Sequence, residues 1–101
     1  MLYMVDVRAS MGRANSIDAG DGPGPFFAKV VDRFHPEAIY GDPTGRHVFI
    51  VVNLNTPAEI AELMYLLTWF TGGEPTFTPL ADPQVFGEAI TNAKKIIAPP
   101  T

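Results

Sequence analysis

The chain has 101 residues, of which 47% are hydrophobic and 18% charged, with a formal net charge of −4 and no cysteine. This length predicts a single domain over residues 1–101. The lack of cysteine excludes disulfides, thiolate nucleophiles and cysteine-ligated zinc. An acidic chain without a basic patch is not expected to bind nucleic acid or an anionic membrane surface, because both need cationic side chains.

The N-terminal residues show no targeting signal. Their apolar run lacks a preceding basic segment and is interrupted by Asp6, which is not typical of a signal peptide. No apolar stretch approaches the roughly 18 residues that a membrane-spanning helix needs. We therefore expect a soluble cytoplasmic protein.

The first third of the chain predicts a strand, a loop and a helix. Alternating apolar residues predict the strand over Leu2–Ala9. Four glycines among Asn and Asp residues predict a flexible loop over Ser10–Gly24. A helix is expected over Pro25–Phe34, because proline suits the first helical turn and the residue before Pro36 leaves the helical region. Its inward stripe consists of Phe27, Val30, Val31 and Phe34.

A hairpin follows this helix. The pattern predicts a short strand over Glu37–Gly41, a turn over Asp42–Gly45 and a return strand over Arg46–Leu54. The return strand is apolar on both faces, with Val48, Ile50, Val52 and Leu54 on one and Phe49 and Val51 on the other. A strand of this kind has to be covered on both sides.

The second half of the chain predicts a helix, a strand and a last helix. A capping-box pattern, with Glu59 three residues after the cap, predicts a helix over Thr56–Phe70. Glu74–Leu80 is a strand whose prolines suit an edge position. Asp82 caps the last helix, and residues 99–101 form a frayed tail. The inward stripes are Ile60, Leu63, Met64 and Leu67 in the first helix and Phe86, Ala89, Ile90, Ala93 and Ile97 in the last.

This order of elements, β-α-β-β-α-β with an additional C-terminal helix, is that of a ferredoxin-like α+β fold. Right-handed crossovers predict one antiparallel sheet in the order 4-1-3-2, with the helices on one face. The other face stays uncovered in a single copy. Packing the sheets of two copies face to face would cover it, so the sequence predicts a homodimer or a higher homo-oligomer.

Short motifs along this pattern resemble the dimeric α/β-barrel superfamily. They are Met1–Val5, Pro36–Glu37, Asn55–Pro57 and Phe77–Leu80. Together they are most similar to an uncharacterised family of short bacterial proteins, and residues 48–83 are more loosely similar to muconolactone isomerase. The superfamily also includes antibiotic-biosynthesis-type monooxygenases. The resemblance implies a bacterial homodimer in which two ferredoxin-like sheets form an α/β barrel.

Two neighbouring strands carry polar residues that we interpret as candidate site residues. Asp6 and Arg8 share one face of the first strand, and His47 and Asn53 share one face of the strand predicted beside it. If these faces coincide, the residues line a pocket between the sheet and the helices. Asp6 and His47 would then be catalytic, with Asp6 orienting or deprotonating the imidazole. Arg8 and Asn53 would bind substrate, with Arg8 holding an anionic group.

A simpler interpretation of the same residues has no catalytic content. Asp6 and Arg8 would form a solvated pair near a strand end, and His47 would be a rim residue beside a turn. Aromatic residues give two further substrate-binding candidates, Tyr3 and Trp69, although such residues more often belong to a core or a dimer contact. The two histidines have no recognisable ligand spacing, so we expect no metal, and no motif indicates a cofactor.

Three functions are compatible with these features. The first is a homodimer that binds a small apolar or aromatic molecule in a cleft between the sheet and the helices. The second, which the resemblance implies, is a cofactor-free isomerase or monooxygenase acting on aromatic or lactone-type metabolites. The third is a structural or regulatory subunit with a filled interior and no catalysis. The sequence does not discriminate between an enzyme and a binding protein.

Overall fold

The computed structural model describes residues 1–97 and contains one four-stranded antiparallel sheet with four helices. The predicted tail over residues 99–101 lies outside this part of the chain. The elements, in chain order, are β1 (Leu2–Arg8), α1 (Met11–Ala19), α2 (Gly24–Phe34), β2 (Ala38–Gly41), β3 (His47–Asn53), α3 (Pro57–Thr71), β4 (Thr76–Pro79) and α4 (Pro83–Ile97). This α+β arrangement is compatible with a ferredoxin-like fold.

The strands lie in the order β2-β3-β1-β4, which is the order predicted from the sequence. β1 is central and pairs antiparallel with β3 and β4. Val5 of β1 lies opposite Ile50 on one side and Phe77 on the other, and Ile39 of β2 lies opposite Ile50. These four side chains form a row across the face of the sheet that α2 and α3 cover.

The hydrophobic core lies between this face and two helices. It consists of buried apolar residues from β1, β3, α2, α3 and the residue after β3, namely Val5, Val7, Val30, Phe34, Ile50, Val52, Leu54, Leu63 and Leu67. Val31 and Met64, which the sequence pattern placed in the inward stripes, are 47% and 42% exposed. In each helix, one pair of residues at spacing i, i+4 is buried against the short strands. The neighbouring residues of both predicted stripes therefore stay outside the core.

The predicted loop over residues 10–24 contains a helix, α1, and the prediction is wrong for residues 11–19. Ser10 caps α1, because its hydroxyl accepts a hydrogen bond from the Arg13 amide at 3.3 Å. The Arg13 side chain donates to the main-chain oxygens of Trp69 and, at 2.9 Å, Phe70. These two carbonyls lie in the last turn of α3, where main-chain oxygens have no amide partner within their own helix. α1 is therefore held by a tertiary contact and by the buried Ala14 rather than by an amphipathic pattern.

The ends of α3 follow the sequence signals. Thr56 accepts a hydrogen bond from the Glu59 amide at 3.2 Å, and the Glu59 carboxylate accepts one from the Asn55 amide at 3.1 Å. These bonds satisfy amides at the start of the helix, as the capping-box pattern predicts. The helix ends at Gly72, whose φ of 68° is readily adopted by glycine.

The last helix, α4, lies apart from the rest of the molecule. None of its residues is buried, so the predicted apolar stripe is uncovered in the single chain. The molecule measures 65 × 26 × 23 Å, and its radius of gyration of 17.5 Å exceeds the roughly 13 Å of a compact domain of this length. Within residues 1–97, no helix is both long and apolar enough to cross a membrane.

The turn after α3 passes very close to the end of β1. A Cβ atom built on Gly73 would lie 1.9 Å from the main-chain oxygen of Arg8 and 3.3 Å from a methyl group of Val7. Main-chain atoms of a paired strand cannot give way to that extent. Glycine at this position thus allows the close approach between the α3–β4 connection and β1.

We predict that Gly73→Ala lowers the free energy of unfolding by about 1–3 kcal/mol, because the new methyl group forces the connection away from β1. Gly12→Ala is the matched control. It lies inside α1 with nothing within 4 Å of the added atom, and alanine there is expected to stabilise the helix by roughly 0.5–1 kcal/mol. Urea unfolding followed by circular dichroism measures both variants. A Gly73→Ala protein as stable as the wild type would contradict the close approach.

Candidate functional site

The polar candidates lie on the second face of the sheet. Strand alternation and the β1–β3 register place eight side chains together there, Leu2, Met4, Asp6 and Arg8 from β1 and His47, Phe49, Val51 and Asn53 from β3. None of them is buried, whereas Val5, Val7, Ile50 and Val52 on the opposite face are buried. We call this second surface the open face. Asp6, Arg8 and His47 therefore lie on the side of the sheet away from the core, not between the sheet and the helices as the sequence suggested.

Three of the candidate residues form one chain of hydrogen bonds on the open face. The Nε2 atom of His47 lies 3.0 Å from Oδ1 of Asp6. Its Nδ1 atom lies 3.1 Å from Nη2 of Arg8. Arg8 is directly opposite His47 in the register, and Asp6 is two residues away along β1. The pairing of β1 with β3 thus brings together residues that are about forty positions apart in the chain.

The partners of His47 define how its ring is protonated. A guanidinium group only donates hydrogen bonds, so Nδ1 accepts from Arg8. A carboxylate only accepts them, so Nε2 carries the hydrogen that is donated to Asp6. We assign the neutral Nε2–H tautomer to His47 from this network. Both ring nitrogens are occupied, and the imidazole is held between an anion and a cation.

Aromatic and hydroxyl side chains border this cluster. Phe49 lies opposite Asp6 in the register, and its ring stacks on the His47 imidazole with centroids 4.2 Å apart and an angle of 29°. Tyr40 lies opposite Phe49 on β2 and is 64% exposed. Thr76 lies opposite Asp6 on β4. The hydrogen-bonded cluster is therefore set in a surface that offers flat apolar contacts to a ligand.

The hairpin turn holds His47 in position through Asp42. Its carboxylate accepts hydrogen bonds from the Thr44 hydroxyl at 2.7 Å and from the His47 amide at 3.3 Å. The Asp42 amide in turn donates to the main-chain oxygen of His47 at 2.9 Å. The bond from Thr44, followed by those from the amides of His47 and Arg46 and the charge of Arg8, lowers the pKa of Asp42 below its usual value of 3.8.

Sequence reasoning recognised Asp42 only as a turn residue. The spacing of an acidic residue two positions before a threonine and five before a histidine was the available signal, since Asp side chains commonly bond amides shortly after them in turns. Asp42 belongs to the site because it bonds to His47, and His47 reaches the other site residues only through the pairing of β1 with β3. A local sequence pattern does not show that pairing.

The other predicted site residues lie elsewhere. Asn53 is on the open face but at the opposite end of β3, where its amide donates to Glu37 at 3.5 Å. Tyr3 is on the core side, and its ring meets Phe77 edge-on with centroids 6.3 Å apart. Trp69 is on α3, 61% exposed, with the Arg13 guanidinium 5.9 Å from its ring centroid. The structure thus does not bring these three side chains to the Asp6–Arg8–His47 cluster.

Among the described residues, two of the apolar spaces beside the core lie next to the sheet. The first, between α1, α2 and β3, has a volume of about 30 Å³ and is lined by residues that include Ala14, Phe27 and Phe70. That volume suits a water molecule rather than an aromatic ring. The second is a more open cleft of about 260 Å³ between the start of α2 and the β2–β3 hairpin. Its lining includes Phe27, Ile39 and His47, and it is large enough for a small ring.

In the described part of the chain, no group of three or more His, Asp or Glu side chains is arranged to hold a metal ion. Searches for related proteins give no family assignment. No protein-family model matches the sequence, and no curated protein matches it either. The function is therefore inferred from the geometry of the open face.

We predict that the Asp42 carboxylate gives the protein an acid-sensitive component of stability. Its pKa is lowered in the folded state, so its contribution is complete above about pH 4 and is lost as the pH falls through the lowered pKa. Asp42→Asn keeps the acceptor oxygen but removes the titration. Urea unfolding at several pH values between about 5 and 2 should show a weaker pH dependence for Asp42→Asn than for the wild type.

Asp21→Asn, which changes a carboxylate outside the hairpin, is the control. If Asp42→Asn and the wild type lose stability in parallel over this pH range, the turn does not stabilise the fold through this carboxylate.

Proposed function

We propose that the protein is a homodimer of the dimeric α/β-barrel type that binds a small aromatic molecule carrying an anionic group. In this proposal the open faces of two copies are turned toward each other, and the ligand lies on the open face. The observation that carries the proposal is the hydrogen-bonded chain Asp6–His47–Arg8 on an otherwise largely apolar face.

Arg8 supplies the reason for an anionic group. A guanidinium has five N–H donors, and one of its nitrogens already contacts His47. The residue is exposed, so the remaining donors are accessible to a carboxylate, which a guanidinium binds in a planar, charge-assisted arrangement. Because the chain has a net charge of −4, an anionic ligand needs a local cation of this kind.

The aromatic part of the ligand is inferred from the surroundings of the cluster. Phe49 stacks on the imidazole, and Tyr40 is the next residue across the sheet. Offset stacking on these rings would bury the apolar surface of a flat molecule. A second copy over the open face would complete the enclosure, because known ligand sites bury most of the ligand surface.

We predict that benzoate, used as a minimal probe, shifts the His47 imidazole resonances in two-bond 1H–15N spectra while those of His35 stay unchanged. The reason is that a carboxylate bound by Arg8 withdraws a donor from Nδ1 of His47. His35 is exposed at the end of α2 and is the only other histidine. Arg8→Ala should weaken benzoate binding about tenfold or more, since hydrogen bonds to charged groups contribute roughly 1.5–3 kcal/mol.

Arg33→Ala is the matched control, because Arg33 pairs with Glu62 on the helical side at 2.9 Å. Shifts of both histidines, or equal effects of the two arginine substitutions, would contradict a site at Arg8. Shifts confined to the amides of Gly24, Gly41 and Gly45 would place the ligand in the cleft between α2 and the hairpin. No shift at any concentration would favour a subunit without a ligand.

A second candidate function, proton transfer of the isomerase type, is supported by the position of His47 between a carboxylate and a guanidinium. When a substrate carboxylate takes the Arg8 donor, Nδ1 becomes free to accept a proton from a carbon next to a carbonyl group. The Asp6 carboxylate at 3.0 Å then stabilises the imidazolium that forms. The same imidazolium returns the proton to another carbon of the substrate, so no net oxidation occurs.

We predict, for this candidate, that the protein catalyses deuterium uptake from D2O into an unsaturated lactone that bears a carboxymethyl group, as observed by proton NMR. His47→Gln should abolish the uptake because it removes the base, and Asp6→Asn should slow it by roughly 10²-fold or more. His35→Gln is the control and should retain the wild-type rate. Uptake that survives His47→Gln would exclude His47 as the base.

A further inference from the structure

The last helix, α4, lies outside the folded body although its sequence is that of a helix packed on a surface. Its apolar stripe, at spacing i, i+3, i+4, i+7 and i+11, consists of Phe86, Ala89, Ile90, Ala93 and Ile97. Phe86 is 61% and Ile97 77% exposed. Isolated helices shorter than about 12–15 residues are marginal in water, so a 15-residue helix with such a stripe needs a surface to pack on.

The same chain presents a second uncovered apolar surface of matching size. The open face carries Met4, Phe49 and Val51 at its centre, all only partly buried. α4 is about 22 Å long at 1.5 Å per residue, and the seven-residue strands β1 and β3 are about 23 Å long. The stripe of one surface can therefore lie along the full length of the other.

We propose that two copies exchange their α4 helices, so that the α4 of each copy packs on the open face of the other. The occupant of the open face is thus a second copy of this chain. The open faces of the two copies still point toward each other, but the exchanged helices replace the direct contact between the sheets that an α/β barrel has.

The connection to α4 favours exchange over folding back. The Leu80 amide donates to the Leu2 main-chain oxygen at 2.8 Å, which fixes the chain at the edge of the sheet. Only Ala81 and Asp82 then precede Pro83, and a residue before proline is restricted to extended conformations. The Asp82 carboxylate also accepts from the Val85 amide at 3.0 Å, which starts the helix at once. This short, restricted connection directs α4 away from its own sheet, and the 65 Å length of the molecule reflects that direction.

Charge and area agree with a second copy as the partner. Residues 1–82 contain ten acidic and five basic side chains, a net charge of −5, whereas residues 83–101 contain one acidic and two basic side chains, a net charge of +1. The helix therefore complements the charge of the folded body, and the short connection described above directs it to the body of another copy. With a width of about 10 Å, each docked helix covers on the order of 200 Å² on each of the two contacting surfaces. The two contacts together bury roughly 900 Å², more than most crystal contacts but below the 1,000 Å² or so of a specific interface, so the dimer also needs contacts outside the two helices.

Exchange has a consequence for the proposed ligand site, and this step rests on that proposed function. The Asp6–Arg8–His47 cluster is open on one side in a single chain. The partner's α4 supplies the missing wall of apolar side chains, so that the binding site is complete only in the dimer. Proximity of partner side chains would also exclude water from the Asp6–His47 contact and strengthen it.

Thiol cross-linking tests the exchange directly, because the full chain has no cysteine of its own. One chain carries Ala89→Cys on the stripe of α4, and a second chain, of different size because of a tag, carries Met4→Cys on the open face. We expect a short bismaleimide to link the two chains into a mixed covalent dimer at micromolar protein concentration. Thr91→Cys, on the polar side of α4, replaces Ala89→Cys in the control and should give at least tenfold less product.

Each of the following outcomes would overturn the exchange. A double variant, Met4→Cys with Ala89→Cys, that links within one chain would show that α4 folds back on its own sheet. Efficient linking of Met4→Cys chains to each other would show direct contact of the two sheets. Equal linking through Thr91→Cys and Ala89→Cys would show that α4 has no defined docked face.

A further pair, Val51→Cys with Ile90→Cys on separate chains, guards against an unfavourable distance at one position, and failure of both pairs to cross-link also overturns the exchange. The benzoate titration is read at His47 and Arg8, so its outcome is distinguishable from that of the cross-linking. Direct contact of the two sheets would leave the proposed dimer and ligand site intact while removing the role of α4.

Discussion

The structure depends on one constraint, which is that β3 is apolar on both faces while the helices cover only one of them. Ile50 and Val52 are buried beneath α2 and α3, whereas Phe49 and Val51 on the other side are only partly covered. Exposed apolar area of this kind is costly in water, and the strand cannot turn away because it is paired on both sides. The second face of the sheet is therefore the surface for which we propose a cover from outside the folded body.

The polar candidate residues lie on this same uncovered face. Asp6, Arg8 and His47 interrupt the open face at one end of β1 and β3 and satisfy one another through hydrogen bonds. Covered by a partner, these groups would be partly desolvated, and a mutually hydrogen-bonded set tolerates desolvation far better than single charges do. The Asp42 turn adds to this, because it fixes the strand that carries His47. A ligand site of the proposed kind would need both the hairpin geometry and the cover.

Much of the fold follows from the sequence because its signals are local and consistent. The capping box at Thr56 and Glu59 and the strand order were both predictable. Helix α1 was not, since its support comes from Arg13 reaching the carbonyls at the end of α3, a contact between residues more than fifty positions apart. The side of the sheet that carries the cluster was a missed signal. β3 is apolar on both sides and gives no indication of the face that the helices cover, but in β1 Val5 and Val7 share one face and Asp6 and Arg8 the other.

The position of α4 relates the small size of the folded body to the proposed dimer. Without it, the folded body has about 80 residues, a length at which a single core leaves little margin of stability. A partner that binds only the folded chain raises its stability by mass action. If the open face and α4 cover each other between two copies, folding and association become one process, and apparent stability rises with protein concentration. The open face and the apolar stripe of α4, both uncovered in a single chain, are then the two halves of one interface.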